Sequence, residues 1–252
     1  MLGFKWNPTF FAMNAAPMRG GQIIDGVTIS VIVRLVLQSI VYYLFMLLFG
    51  AIPGPYGWLV IVVGVVTGMA IGTMLMAYAT QLKEDKGQFN YIMRFGIIPM
   101  TLFSGTFFPL AVLPVWLHWV GWISPLWHGV ELSRVLAYGY EEPAWLTAVH
   151  VSYLLVLVLP SLYAGNARSV MERGVIATAK TNWLIVASGF FEPVFFLLAM
   201  GIGLGSYIGD INSPGGQSVP YAAYIAPALL AVAAMNGAVF DSTWNVFFKM
   251  NF

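Results

Sequence analysis

Long apolar stretches separated by short polar ones set the reading of this chain. No Asp, Glu, Lys or Arg falls between Arg34 and Lys83. A membrane-spanning helix needs about 20 mostly apolar residues. The turn sequence Ile52-Pro53-Gly54-Pro55 divides this stretch, which predicts a first span over 26–50 and a second over 57–80. A third begins near Gly96; a fourth covers 144–163, a fifth 183–208 and a sixth 220–246. Gly209 to Gln217 is rich in Gly, Asp, Asn, Ser and Pro and reads as a loop. The pattern predicts an all-α membrane protein with six transmembrane helices.

The third span runs into a different kind of sequence. Ser104 to Arg134 holds four Trp, three Pro and two His, and no charged residue before Glu131. It is too apolar for a solvated loop and too interrupted for one straight helix. Proline removes a backbone donor and clashes with the preceding turn, so Pro109, Pro114 and Pro125 should each end or kink a helix. Broken backbone at membrane depth is tolerated where it packs in protein or lines a cavity. The expectation is a re-entrant region over about 104–136.

Composition agrees. The 252 residues are 60% hydrophobic and only 8% charged, against about 25% charged in soluble domains. A net charge of +1 argues against nucleic acid as a partner. With no cysteine, disulfides and thiolate metal sites are excluded. The N-terminus lacks the order of a cleaved signal peptide. No G-x-x-x-x-G-K-[ST] phosphate loop and no H-E-x-x-H metal spacing occurs.

Charge in the loops gives orientation. With the N-terminus cytoplasmic, the inner segments carry Lys5, Arg19, Lys83, Lys86, Arg94, Arg168, Arg173, Lys180 and Lys249. The outer loops 51–56, 137–143 and 209–219 carry no Lys or Arg, but Glu141, Glu142 and Asp210. Cationic short loops stay inside, so both termini are expected in the cytoplasm and the re-entrant region outside. Tyr56, Trp58, Trp145, Trp183 and Tyr221 fall near predicted span ends, as an aromatic belt requires.

The words Phe103-Ser104-Gly105-Thr106-Phe107-Phe108-Pro109, Leu113-Pro114 and Ser124-Pro125-Leu126-Trp127-His128-Gly129 resemble the C-terminal signature of ABC-2 type permeases, nearest to the nodulation lipo-oligosaccharide (NodJ-like) and antibiotic-resistance group. Asn182 to Gly205 looks like that family's first spanning helix, and Tyr224 to Met250 like its second. In the family the block that ends this chain comes first. Phe247 to Phe252 reads naturally into Lys5 to Met18, as one coupling loop cut in two. The chain therefore resembles a circularly permuted permease of ABC-2 (type V exporter-like) fold.

The resemblance implies one transmembrane domain over 1–252. Its parts are a cytoplasmic coupling segment (1–25), four spans with the re-entrant region (26–164), an amphipathic interfacial helix (165–182) and two further spans (183–246). It implies a permease subunit in the plasma (inner) membrane, moving a large amphipathic, lipid-linked, glycan or drug-like substrate outward. The partners are two ABC ATPase subunits, which would hold ATP and Mg, a second permease chain and membrane lipid. This chain would bind no cofactor and carry no catalytic residue. Phe10, Phe11, Asn14, Pro17, Lys83, Lys86 and Arg173 are the candidate ATPase-coupling residues; an interfacial helix on lipid is the plainer reading of 5–18, and a solvated turn that of Lys83 to Lys86.

Charges within apolar segments are costly unless paired, which singles out Glu131, Arg134, Glu192 and Asp241. Glu131 and Arg134 are spaced i, i+3 and can pair on one helix face, as a lock for the re-entrant helices or a substrate contact. Glu192, before Pro193, faces a cavity or pairs with a neighbouring helix. Asp241, beside Ser242 and Thr243, makes a helix–helix hydrogen bond or lines a pathway. Asp25 reads as interfacial, and Arg34 needs a partner or must snorkel. His118 and His128, ten apart across Pro125, fit no ligand pattern and read as interfacial packing. Trp116, Trp119, Trp122 and Trp127 read as interface anchors or a sugar-stacking platform. The alternative function is an ion-coupled secondary transporter or channel, which would use Glu192 and Asp241. An intramembrane enzyme would need His, Asp or Glu clustered at one depth, a pattern not found.

Overall fold

The computed structural model describes residues 20–48, 50–79, 88–139, 141–163, 195, 197–212 and 218–240. Helix α1 covers Gly20–Leu48, and after a short 3-10 turn at Gly57–Leu59 helix α2 covers Val60–Ala79. Next come α3 (Gln88–Tyr91), a π turn (Ile92–Ile97) and α4 (Ile98–Phe103). Short 3-10 turns at Leu110–Val112 and Val115–Leu117 lead to α5 (His118–Ile123), α6 (Pro125–Tyr138) and α7 (Ala144–Tyr163). A second π turn (Ala199–Leu204) precedes α8 (Gly205–Ile208), a β1–β2 hairpin (Asp210–Asn212, Ser218–Pro220) and α9 (Tyr221–Phe240).

Helix α9 is the axis of the core. It is apolar on all sides, and a helix of that kind must be buried; nearly every side chain from Tyr221 to Met235 is. It packs on α1, α2 and α6. Helix α1 buries Val31, Leu35, Tyr42 and Met46 and leaves Leu37, Leu44, Leu47 and Leu48 exposed. That is the division expected of a helix between protein and lipid.

Lipid gives little hydrophobic drive for helices to meet, so close approach and polar contacts must hold them. Both are present. Gly64 and Gly68 sit one turn apart on α2; a Cβ on Gly68 would lie 2.8 Å from the Ala234 carbonyl, and one on Gly64 2.3 Å from Leu230 Cδ2. Between helices, Gln38 Nε2 donates to the Ala233 carbonyl (3.3 Å) and Thr73 Oγ1 to that of Leu157 (3.1 Å). Thr28 Oγ1 approaches Met76 Sδ at 3.6 Å.

Helices α1, α2 and α9 coincide with the predicted first, second and sixth spans, and α7 lies over the range expected for the fourth. Thr28–Leu48, Gly57–Tyr78 and Tyr221–Phe240 are long and apolar enough to cross a membrane, and Ala144–Val158 forms a shorter apolar stretch. The chain is a multi-pass membrane protein.

Three expectations change. Helical structure is already present at Gln88, ahead of the start expected near Gly96, with Asn90 and Arg94 exposed and Phe89 and Ile97 buried on the other side. The loop after the fifth predicted span includes an antiparallel pair, with Asp210 opposite Pro220 and Asn212 opposite Ser218, so the chain is not purely α. Tyr221 is 4% exposed; it opens α9 inside the cluster of Tyr42, Met46 and Tyr224 and does not belong to the belt. Tyr56, Trp58 and Trp145 are exposed as expected, and Trp183 lies outside the described residues.

Candidate functional site

The chemistry-bearing residues gather where 104–138 meets α7 and α9. Proline builds the approach. Pro109 and Pro114 each precede a 3-10 turn, with φ of −58° and −53°, near the value the ring imposes. Pro125 is the first residue of α6, where its missing N–H costs nothing. All three expected breaks are therefore present. Ser104 and Ser124, at the two ends of the excursion, hold each other through their hydroxyls at 2.6 Å. Helix α6 ends at Gly139, whose φ of +67° is the left-handed cap that glycine accepts without strain.

Arg134, on α6, has no exposed surface. Its Nη1 donates to Glu131 Oε1 at 3.1 Å. Its Nη2 donates to the carbonyls of Gly105 (2.7 Å) and Thr106 (3.1 Å). Its Nε reaches the Tyr224 carbonyl at 3.4 Å, and its guanidinium lies 3.9 Å from the centre of the Tyr224 ring. Gly105 turns its carbonyl inward with a φ of +71°, a conformation that other residues rarely adopt. Only a planar fork with several donors can serve a carboxylate, three carbonyls and an aromatic face together. The predicted Glu131–Arg134 pair is thus present, and it is one arm of a larger anchor. Tyr138, one turn on, donates to the Ala223 carbonyl. The excursion, α6 and α9 are fastened at two levels.

A second cluster joins α6 to α7. His128 Nδ1 lies 2.7 Å from His150 Nδ1, and His128 Nε2 lies 3.0 Å from the Trp122 carbonyl. On its far side His150 Nε2 is 3.4 Å from Glu142 Oε1, while Glu142 Oε2 accepts from Thr147 Oγ1 at 2.8 Å. The rings of Trp127 and Tyr153 close around the pair, at 5.0 Å from His150 and 4.1 Å from His128 respectively. In the 141–143 loop, burial pushes the Glu142 carboxyl up, but the nearby His150 ring and the hydrogen bond from Thr147 outweigh it. The net shift is down. His150 had no part in the sequence reading. Its one signal was its place eight residues after Glu142, about two helical turns.

His118 stays apart; its Nε2 bonds to the Leu113 carbonyl at 2.9 Å. Among the described residues no group of three His, Asp or Glu is arranged to hold a metal ion. Trp116, Trp119 and Trp122 are exposed, whereas Trp127 turns inward against both histidines. Arg34 is half-buried on α1. Phe10, Phe11, Asn14, Pro17, Lys83, Lys86, Arg173, Glu192 and Asp241 lie outside the described residues, as do the segments 1–19 and 165–182.

Comparison with known proteins bears on this arrangement. Residues 1–138 match the family described as ABC-2 type transporter. Nodulation protein J of Rhizobium leguminosarum bv. viciae is 28% identical over 85 residues, covering 34% of this chain and 31% of that protein. Nodulation protein J of Sinorhizobium fredii is 29% identical over 85 residues, 34% of this chain and 30% of its own length. That of Rhizobium leguminosarum bv. trifolii is 32% identical over the same span, with 34% and 30% covered. The match spans less than a third of the length of these curated relatives. No solved structure matches the chain. The family match takes in more than half of the 252 residues, including Gly105, Thr106, Glu131 and Arg134 of the anchor but not Tyr224, and the chain belongs to the ABC-2 type transporter family.

Proposed function

We propose that this chain is the membrane-spanning permease subunit of an ATP-driven exporter. Its substrate is large and amphipathic: lipid-linked, glycan or drug-like. The observation that carries this reading is the family match over 1–138. In this reading ATP and Mg are held by two separate ABC ATPase subunits, as the resemblance to the family implies. Six spans make half a pathway, so a second permease chain completes it. Segment 1–25, with Phe10, Phe11, Asn14 and Pro17, together with Lys83, Lys86 and Arg173, forms the surface that receives the ATPase stroke.

In this reading α1, α2, residues 88–103, α7, the expected fifth span over 183–208 and α9 are the six spans of one transmembrane domain. Residues 104–136 form a re-entrant cap on the outer side of the plasma (inner) membrane, with both termini in the cytoplasm. The nine basic residues assigned to inner segments and the acidic outer loops support that orientation. The Arg134 anchor makes the cap and α9 one mechanical unit, so a shift of α9 driven from inside is carried to the outer mouth. The complete burial of Arg134 favours this fastening role over a substrate contact. The two halves stand in permuted order relative to the family. Glu192 and Asp241 remain candidates for helix pairing or the pathway.

Native mass spectrometry of the chain purified in mild detergent tests the assembly. Two nucleotide-binding subunits per pair of permeases are expected. A stable complex without any ATPase overturns the proposal and turns attention to ion-coupled transport through Glu192 and Asp241.

A further inference from the structure

One face of the third helical stretch changes character along its length. Tyr91, Arg94, Phe95, Ile98 and Leu102 are spaced i, i+3, i+4, i+7 and i+11, which places them along one side of a helix. All five are exposed, Tyr91 by 66% and Phe95 by 75%. The opposite side faces the core: Phe89 and Ile97 are buried, and Ile92 packs against both of the clusters to which they belong. The rings of Tyr91 and Phe95 stack, with centres 6.1 Å apart and planes 18° from parallel. Arg94 emerges beside them. Among the described residues it meets neither an acid nor a hydrogen-bond acceptor. Beyond Phe95 the face is aliphatic.

We propose that Tyr91, Arg94 and Phe95 hold the headgroup of an anionic phospholipid, whose acyl chain lies along Ile98 and Leu102. The guanidinium presents parallel N–H donors to the phosphate oxygens. The aromatic pair sits at headgroup depth, where a phenol keeps its hydroxyl in water and its ring against the chains.

Length and charge both favour a lipid over a covering protein helix. Arg94 and Leu102 are eight residues apart, about 12 Å at a rise of about 1.5 Å per residue. One leaflet's hydrocarbon is roughly 15 Å, half of a core of about 30 Å, so the aliphatic part of the face takes up most of a single acyl layer. Side chains on a helix lean toward its N-terminus. The Arg94 stem therefore leans toward the exposed Asn90, and its charge reaches the headgroups rather than the bilayer centre. A protein partner would have to bring a counter-ion. The nine basic residues assigned to inner segments share that side with four acids, Asp25, Glu84, Asp85 and Glu172, and anionic lipid is the abundant source of the balancing charge. The proposal rests on the exporter reading only for the leaflet, which is the inner one when both termini are cytoplasmic.

The test uses the full chain in phosphatidylcholine vesicles. A trace of phosphatidylglycerol or of phosphatidylcholine is added, each with the same photoreactive diazirine near the start of one acyl chain, and the labelled peptides are read by mass spectrometry. The phosphatidylglycerol probe is expected to label 91–98 about fivefold more than the phosphatidylcholine probe, the ratio that about 1 kcal/mol per arginine near an anionic surface gives. Arg94→Gln should bring the ratio to one. Arg94→Lys should keep most of it, since lysine also binds phosphate as a point charge. Val149, Val151 and Val156 on α7 are exposed, and α7 has no Lys or Arg. These positions should take both probes equally in every chain, which also reports that the variants are folded. Equal labelling of 91–98 by the two probes overturns the site, as does a preference that survives Arg94→Gln. Labelling of α7 with none at 91–98 overturns it too and assigns the face to a protein partner such as the second permease chain. With the probe confined to one leaflet of vesicles of known orientation, labelling from the outer leaflet alone would leave the lipid site standing and overturn the cytoplasmic placement of the termini.

Discussion

Arg134 lies over the ring of Tyr224 at 3.9 Å and also donates from Nε to the Tyr224 carbonyl, so one residue of α6 grips a residue of α9 by both side chain and backbone. A buried guanidinium that loses its partners is costly, and so is a cluster of carbonyls and a carboxylate that loses its cation. Replacing Arg134 by Leu is expected to destabilise the fold by about 3–5 kcal/mol. Arg134→Lys keeps the charge but has no planar fork to reach Glu131, Gly105 and Thr106 together, so it should recover only part of that loss. Unfolding by SDS titration in mixed micelles measures both. A lysine variant as stable as the wild type would show that charge alone, not the fork, holds the anchor.

The contact between α2 and α6 gives a prediction in which the sign decides. On helix propensity alone, glycine to alanine in a helix gains about 1 kcal/mol. At Gly129 the added Cβ would lie 2.2 Å from Thr67 Oγ1 and 2.6 Å from Thr67 Cγ2. Thr67 is fully buried and its hydroxyl is bonded to the Val63 carbonyl at 2.8 Å, so it cannot swing away cheaply. Overpacking of this kind costs about 1–3 kcal/mol, and Gly129→Ala is expected to destabilise. Adding Thr67→Gly should recover most of the loss. A double-mutant cycle on thermal unfolding measures the coupling; additive effects would mean the helices separate to admit the methyl.

Acid stability should depend on Glu142. Its carboxyl is raised by burial and lowered further by His150 and Thr147, for a net shift down. An acid with a depressed folded value contributes stability that is present above its unfolded value, about 4.3. That stability is lost as the pH falls through the lower folded value. Glu142→Gln should therefore lower the melting temperature at neutral pH and flatten its decline below about pH 4.3. Melting curves of the two chains that stay parallel from neutral to acid pH would rule this linkage out.

How much of this was readable beforehand depended on whether the physics was local. Pro109, Pro114 and Pro125 act on their own backbone, so the breaks fell where expected. Glu131 and Arg134 are neighbours by helix geometry alone, so their pairing was legible too. The Gly105 and Thr106 carbonyls are 29 and 28 residues from Arg134, and no periodicity reports such a contact. His150 was passed over for the same reason. It stands alone in an apolar run, and its partner His128 is 22 residues away across a chain reversal. Tyr221 was misplaced because a tyrosine at a helix end looks alike whether it meets lipid headgroups or, as here, a second layer of helices.

The tryptophans separate into two groups that a fluorescence measurement can tell apart. Trp116, Trp119 and Trp122 expose 70%, 57% and 54% of their surface, while Trp127 packs edge-on to His128 with ring centres 4.9 Å apart. An indole at the boundary of a bilayer buries its ring among acyl chains and keeps its N–H near water. In chains that retain Trp119 alone or Trp127 alone, lipids brominated near the carbonyl depth should quench Trp119 strongly and Trp127 weakly. A sugar-stacking platform makes the opposite demand. It requires faces open to water, weak quenching by the brominated lipid at Trp119, and a shift of its emission by soluble oligosaccharide. The exposed indoles span 116 to 122 on short helical turns, with Val112, Val115 and Ile123 exposed beside them. Such a rim is apolar along its whole length, which matches acyl chains better than a hydroxyl-rich ring, and lipid quenching without a response to sugar is the expected outcome.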